Sequence, residues 1–306
     1  MVTVPRPDPT AEPDGFVVEV SPGDRVHFLD WGGPAASPGV LLVHGLSNSA
    51  WSWAPVARRL RSACRVVAMD LRGHGLSDAP IDGYDPGAFA ADAVAVAEGA
   101  GLLAEAGDRV VVAGHGFGAI VATWTAAVLD HRCAGLVLVD GGWESLEAAT
   151  GMDVDEFLRG LNEPPEVMRS MDAFLADRRG FDPASWDADQ ERAARAIVVE
   201  THAGHVVPSS RPHVTEACVR AMFGYEPAGA LASVAAPVTA IVAADDEQGS
   251  RAAALVRASA ARVAVGGDPI RSVLLGRAGH NLMRYRPDDV AAAILEAAAP
   301  IVTANR

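Results

Sequence analysis

A layered α/β fold with a mostly parallel sheet is predicted by three features of this 306-residue chain. Short, almost continuous Val/Leu/Ile runs recur along it, helical patterns separate them, and one long stretch, 143–233, breaks the rhythm. Strands that are apolar on both sides need cover on both faces, and intervening helices supply it.

The elements follow in order. GFVVEVSPGDRVHFLDWG (15–32) reads as a β-hairpin around a Pro-Gly-Asp turn, giving antiparallel strands at one sheet edge. GVLLVHG (39–45) is a buried strand, WSWAPVARRLRS (51–62) has helical spacing, and RVVAMD (65–70) is a second buried strand. An Ala-rich helix is expected over 86–106. RVVVAG (109–114) is a third strand with a helix directly behind it (119–130), and GLVLVD (135–140) is a fourth. VTAIVAAD (238–245) and SVLLGRAG (272–279) supply two more strands, and DDVAAAILEAAA (288–299) is a closing amphipathic helix.

The stretch 143–233 has no comparable strand run, only helical patterns and prolines. It is expected to be a mainly helical lid over the sheet's C-terminal edge, with a core of 15–142 and 234–306. Residues 1–14, rich in Pro and acidic, are expected to be a disordered lead-in.

The net charge of −14 argues against nucleic acid or an anionic membrane as partner, since phosphate binding needs a basic surface. All 25 basic residues are Arg, so Schiff-base chemistry on lysine is excluded. No apolar run approaches the roughly 20 residues a membrane span needs, and no signal peptide opens the chain, so a cytoplasmic protein is expected. Cys64, Cys133 and Cys218 are too widely spaced for a zinc or disulfide framework and read as buried thiols. Glu200, His202, His205 and His213 cluster in the lid, but the spacing is not that of a helical metal motif, and no metal is expected.

The chemistry concentrates in Gly114-His115-Gly116-Phe117-Gly118, between a strand and a helix. That context is a nucleophile elbow, Gly-x-Ser-x-Gly, with glycine where the serine would stand. Four further landmarks follow in order. They are His44-Gly45-Leu46 after the first core strand, the Asp70-Leu71-Arg72-Gly73-His74-Gly75-Leu76-Ser77 loop, Asp245-Asp246 at one strand end, and Gly279-His280-Asn281-Leu282 at the last. The same segment loosely fits a G-x-G-x-x-A dinucleotide fingerprint, but the other landmarks explain it better, and no cofactor is expected.

Together these residues resemble the α/β-hydrolase superfamily, of the lidded esterase, epoxide-hydrolase and C–C-hydrolase type, over about 15–142 and 235–299. The resemblance implies His280 as general base and Asp246 as the acid that orients it, with Asp245, Asp140 and Glu144 as alternatives. It implies the amides of Leu46 and Phe117 as an oxyanion hole, which no change at position 116 removes. Arg72, Gly73, His74 and Gly75 read as structural. Trp51, His115 and Trp143 are candidates for substrate contact.

Gly116 cannot form an acyl-enzyme, which leaves three readings. The first is non-covalent acid–base chemistry, such as lyase or cyclisation, by the His280–Asp246 pair on a small apolar organic substrate. The second is an ester, lactone or thioester hydrolase whose serine is replaced. The third is a small-molecule binder without catalysis. An Asp-nucleophile mechanism is disfavoured, because 115–117 offer no carboxylate.

Overall fold

The computed structural model describes residues 3–21, 23–35, 37–161, 170–244, 249–276 and 278–304. Its centre is an eight-stranded sheet. In chain order the strands are β1 (Asp14–Ser21), β2 (Asp24–Gly32), β3 (Gly39–Val43), β4 (Arg65–Met69), β5 (Val110–His115) and β6 (Cys133–Val139). A separate short pair, β7 (Val198–Glu200) and β8 (Val206–Pro208), precedes β9 (Val238–Ala243) and β10 (Arg271–Leu275). Across the sheet the order is β1-β2-β4-β3-β5-β6-β9-β10. Strands β1–β2 and β2–β4 pair antiparallel and every other pair is parallel.

The strand sequences explain this arrangement. In β3, β5 and β6 every residue is buried, as expected of strands covered on both sides. Successive side chains alternate between two cores. Leu41, Val43, Val110, Val112, Leu136 and Leu138 face one. Val40, Leu42, Val111, Ala113, Val137 and Val139 face the other. Helices α2 (Pro86–Gly99) and α3 (Phe117–Leu129) cover the first face. Helix α1 (Ala54–Leu60), the short α11 (Leu282–Tyr285) and α12 (Pro287–Ala304) cover the second.

Helix α2 begins where Asp85 accepts from the Gly87 and Ala88 amides, with Pro86 in the first turn. It stops at Gly99, short of the expected 106: Gly101 adopts φ 73°, and the Leu102 and Leu103 amides both turn back to the Ala97 carbonyl.

The stretch 143–233 carries α4 (Leu146–Thr150), α5 (Val154–Leu161), α6 (Met171–Phe181), α7 (Ala188–Ala196) and α8 (Pro212–Phe223). Ser145, Ser170 and Asp187 cap α4, α6 and α7. It also contains the β7–β8 hairpin, which the mainly helical expectation missed. Each strand is only three residues long, too short for a period to register. The hairpin holds Glu200 at its first strand, with His202 and His205 exposed in its turn. Helices α9 (Pro227–Ala232) and α10 (Gly249–Ala264) flank β9.

Residues 3–13, expected as a disordered lead-in, form neither helix nor strand but are tied down. Arg58 of α1 donates to the Ala11 carbonyl and pairs with Glu12, and Arg61 pairs with Asp8 at 3.3 Å. Among the described residues, no helix is long and apolar enough to cross a membrane.

Candidate active site

The C-terminal ends of β3, β5 and β6 converge on one turn, and glycine permits the convergence. A Cβ on Gly114 would lie 2.0 Å from the Gly118 carbonyl oxygen. A Cβ on Gly118 would lie 2.3 Å from the His44 carbonyl oxygen and 2.4 Å from that of Val43. Only bare backbone fits at either place. Between them Gly116 has φ 54° and ψ −118°, a conformation that costs an L-residue about 1–3 kcal/mol. Its amide donates to the Val139 carbonyl at 3.1 Å, which fastens the turn to the end of β6.

His280 stands over this turn. Its Nε2 lies 3.3 Å from the point a Cβ on Gly116 would occupy, and the Gly45 Cα is 3.9 Å from the same point. On the other side of the ring, Nδ1 bonds Asp140 Oδ2 at 2.7 Å. The Asp140 side chain is fully buried, whereas that of His280 is 57% exposed. The ring therefore has one nitrogen committed to a buried carboxylate and the other directed at Gly116, the orientation a general base requires.

The carboxylate paired with His280 is thus Asp140, where the sequence favoured Asp246. Asp245 and Asp246 lie outside the described residues. The ambiguity has a plain origin: β6 and β9 are adjacent parallel strands, and in the sequence an aspartate follows closely on each. Asp140 itself is in the left-handed region, with φ 49°. Its Oδ1 accepts from the Ala243 amide at 3.0 Å and from Arg251 Nη2 at 3.2 Å. Burial alone would raise the Asp140 carboxyl. The His280 hydrogen bond, the Ala243 amide and the Arg251 guanidinium together hold it below the usual carboxylate value.

His115, a candidate for substrate contact, is instead buried beneath His280, with ring centroids 4.4 Å apart. Its Nε2 meets the His280 carbonyl oxygen at 2.9 Å, so that nitrogen carries the proton and steadies the His280 backbone. Burial and the neighbouring His280 push it down to about 3, and it is neutral at physiological pH.

His44 anchors the turn after β3. Its Nδ1 donates to the Gly45 carbonyl at 2.7 Å and its Nε2 accepts from the Leu71 amide at 3.0 Å, one tautomer satisfying both bonds. Leu46 follows this turn, and Phe117 is the first residue of α3, whose leading amides have no acceptor within the helix. The loop after β4, expected to be structural, is held by several buried bonds. Asp70 accepts from His27, Ala50 and Leu76, and Arg72 forms a forked pair with buried Asp92 at 2.6 and 2.7 Å.

The two tryptophans differ. Trp51 is half-buried, edge-on to Trp31 and under the Arg192 guanidinium of α7, so it joins the insertion to the core. Trp143 is fully buried, with Arg251 5.2 Å from its ring centre. It walls a cavity of about 180 Å³ shared with Glu144, Ser145, Glu226 and Arg257. Sequence reasoning missed Arg251 altogether. It lies in the first turn of α10, and no local motif marks it.

The model of the Alpha/beta hydrolase family matches residues 40–293. A putative carbamate hydrolase, RutD, from Variovorax paradoxus (strain S110) is 32% identical over 70% of this chain and 76% of its own length. Epoxide hydrolase 4 from Mus musculus is 33% identical over 40% of this chain, which spans about a third (32%) of that relative. Among solved structures, an E-2-(acetamidomethylene)succinate hydrolase is similar with TM-score 0.75 and 22% identity, over 93% of this chain and 98% of that one. The thioesterase domain from the curacin biosynthetic pathway is similar with TM-score 0.71 and 23% identity, over 92% and 99%.

Proposed function

This chain belongs to the alpha/beta hydrolase family, and on that premise we propose that it is a family enzyme working without a covalent intermediate. In this reading Gly116 stands at the nucleophile position and His280, oriented by Asp140, is the general base. The observation that carries it is the paired ring: Asp140 at 2.7 Å from Nδ1, and Nε2 turned to a glycine that has nothing to deprotonate. The proton His280 takes must then come from the substrate or from water.

Each proton and electron pair has a destination. Nε2 removes a proton from an acidic C–H or O–H of a small apolar organic substrate. The electron pair left behind moves toward a substrate oxygen, where the Leu46 and Phe117 amides stabilise it. Asp140 stays ionised and compensates the imidazolium. Nε2 later returns its proton to the product or leaving group, as a lyase or cyclisation step requires. The insertion 143–233 acts as the cap over this edge, with 15–142 and 234–306 as core, and the reaction runs in the cytoplasm without cofactor.

A second reading is favoured by the relatives, which are named as hydrolases: water activated by His280 cleaves an ester, lactone or thioester directly. The intact hydrogen bond between His280 and Asp140 argues against a binder without catalysis. The test is a panel of both substrate classes, with the protein and its His280→Ala variant in parallel. Loss of about 10²–10⁴ in turnover on substrates with acidic C–H or O–H groups, with deuterium uptake from D₂O, supports the acid–base reading. Turnover unchanged in the variant contradicts it.

A further inference from the structure

Arg251 reaches two acids at once. Its Nη2 meets Asp140 Oδ1 at 3.2 Å, its Nε meets Glu144 Oε1 at 2.7 Å, and its guanidinium lies over the Trp143 ring. Only 13% of the side chain is exposed. An ordinary surface ion pair is solvated and loosely held. This cation instead sits against a fully buried carboxylate whose other oxygen holds His280. With the Ala243 amide it occupies Oδ1, which leaves Oδ2 for the imidazole.

The charges have a consequence. A carboxylate beside an imidazole favours the charged ring, and a cation beside that carboxylate opposes it. Arg251 offsets Asp140, and Glu144 in turn draws Arg251 away from it. We propose that Arg251 is a positioning residue which, with Glu144, holds Asp140 in register and sets the proton affinity of His280. The inference rests on His280 being the general base proposed above, but its readout needs no substrate.

Among the described residues, the groups facing His280 and its partner come from several elements. Asp140 and Glu144 follow β6, Arg251 is on α10, and neutral His115 ends β5. On α11, Arg284 is turned away to Ser185 and Asp182. Asp245, Asp246 and Glu247 lie outside the described residues. Removing the cation should therefore make His280 more basic, and removing the Glu144 charge should make it less so.

The experiment is an NMR titration of the histidine side chains in the full chain, with the His280 signal identified by its loss in His280→Gln. Arg251→Met should raise the His280 midpoint by about half to one pH unit, and Glu144→Gln should lower it by about half a unit. Arg251→Lys should restore part of the first shift. Shifts of opposite sign support the proposal. Shifts of the same sign, or none beyond about 0.2 unit, overturn it. If Arg251→Met does not fold, Glu144→Gln and Arg251→Lys decide on their own. Turnover that survives His280→Ala would sink the acid–base reading while leaving this titration interpretable.

Discussion

The turn at the ends of β3, β5 and β6 and the insertion over 143–233 are built by opposite means. At the turn, backbone meets backbone: the positions opposite Gly114 and Gly118 are carbonyls at 2.0–2.4 Å from any added methyl. The insertion meets the core through side chains. Asp189 of α7 pairs with Arg58 at 3.0 Å, His213 of α8 reaches the Pro80 carbonyl at 3.0 Å, and the Tyr225 hydroxyl donates to the Gly142 carbonyl at 2.8 Å. The insertion's own apolar cluster is small, centred on Phe174, Ala194 and Val206. Backbone contacts cannot shift to absorb a change, whereas long side chains can. The difference teaches that His280 and Asp140 sit at a rigid frame, which the insertion joins through adjustable contacts.

The strongest attempt to break this comparison is Gly118→Ala. With two carbonyls under 2.5 Å from the new methyl, it should lose about 3 kcal/mol of stability, read by urea unfolding. A loss below about 0.5 kcal/mol would mean that the frame yields.

The frame should also dominate the response to acid. Burial lowers His44, His74 (to about 4) and His115 (to about 3). Unfolded, these rings gain protons below their ordinary value near 6.5, while folded they stay neutral. Their contribution is complete above about pH 6.5 and is lost as pH falls toward the folded values. Each can contribute up to about 1.4 kcal/mol per pH unit. Urea midpoints should therefore fall steeply between about pH 6.5 and 4, and a flat profile over that window would contradict the buried, neutral assignments.

The contacts of the insertion should respond less. Asp189→Asn leaves Arg58 with the Ala11 carbonyl and Glu12, so a loss of about 1 kcal/mol, shrinking in high salt, is expected in the same assay. The smallest change has the opposite sign. Gly180, in α6, has nothing within 4 Å of an added methyl. Gly180→Ala should stabilise by about 0.5 kcal/mol in thermal unfolding. Destabilisation there would show the insertion to be as tightly packed as the turn.

The same contrast explains what the amino-acid sequence reveals by itself. The sheet is legible because β3, β5, β6 and β9 are buried on both faces, so their runs are continuous. The turn is legible because backbone crowding admits only glycine at 114 and 118. His280 is legible from its place after the last strand. The choice between Asp140 and Asp246 is not, since in the sequence an aspartate follows each of two strands that prove to be adjacent and parallel. Arg251 is invisible because its partners lie more than a hundred residues away in sequence. His115 looks like a pocket residue because its burial under His280 depends on the relative placement of β5 and the segment after β10.

The central claim is that a complete base and its acid surround a position lacking only a nucleophile. Gly116→Ser tests it, by intact mass after exposure to a fluorophosphonate, beside the unaltered protein and the variant combined with Asp140→Asn. The substitution should cost about 1–3 kcal/mol, because of φ 54° and the 3.3 Å approach to His280 Nε2, yet leave the fold intact. One adduct at position 116 is expected in the single variant, much slower labelling in the double variant, and none in the unaltered protein. A folded single variant that takes no adduct, or an unaltered protein that takes one, would contradict the account.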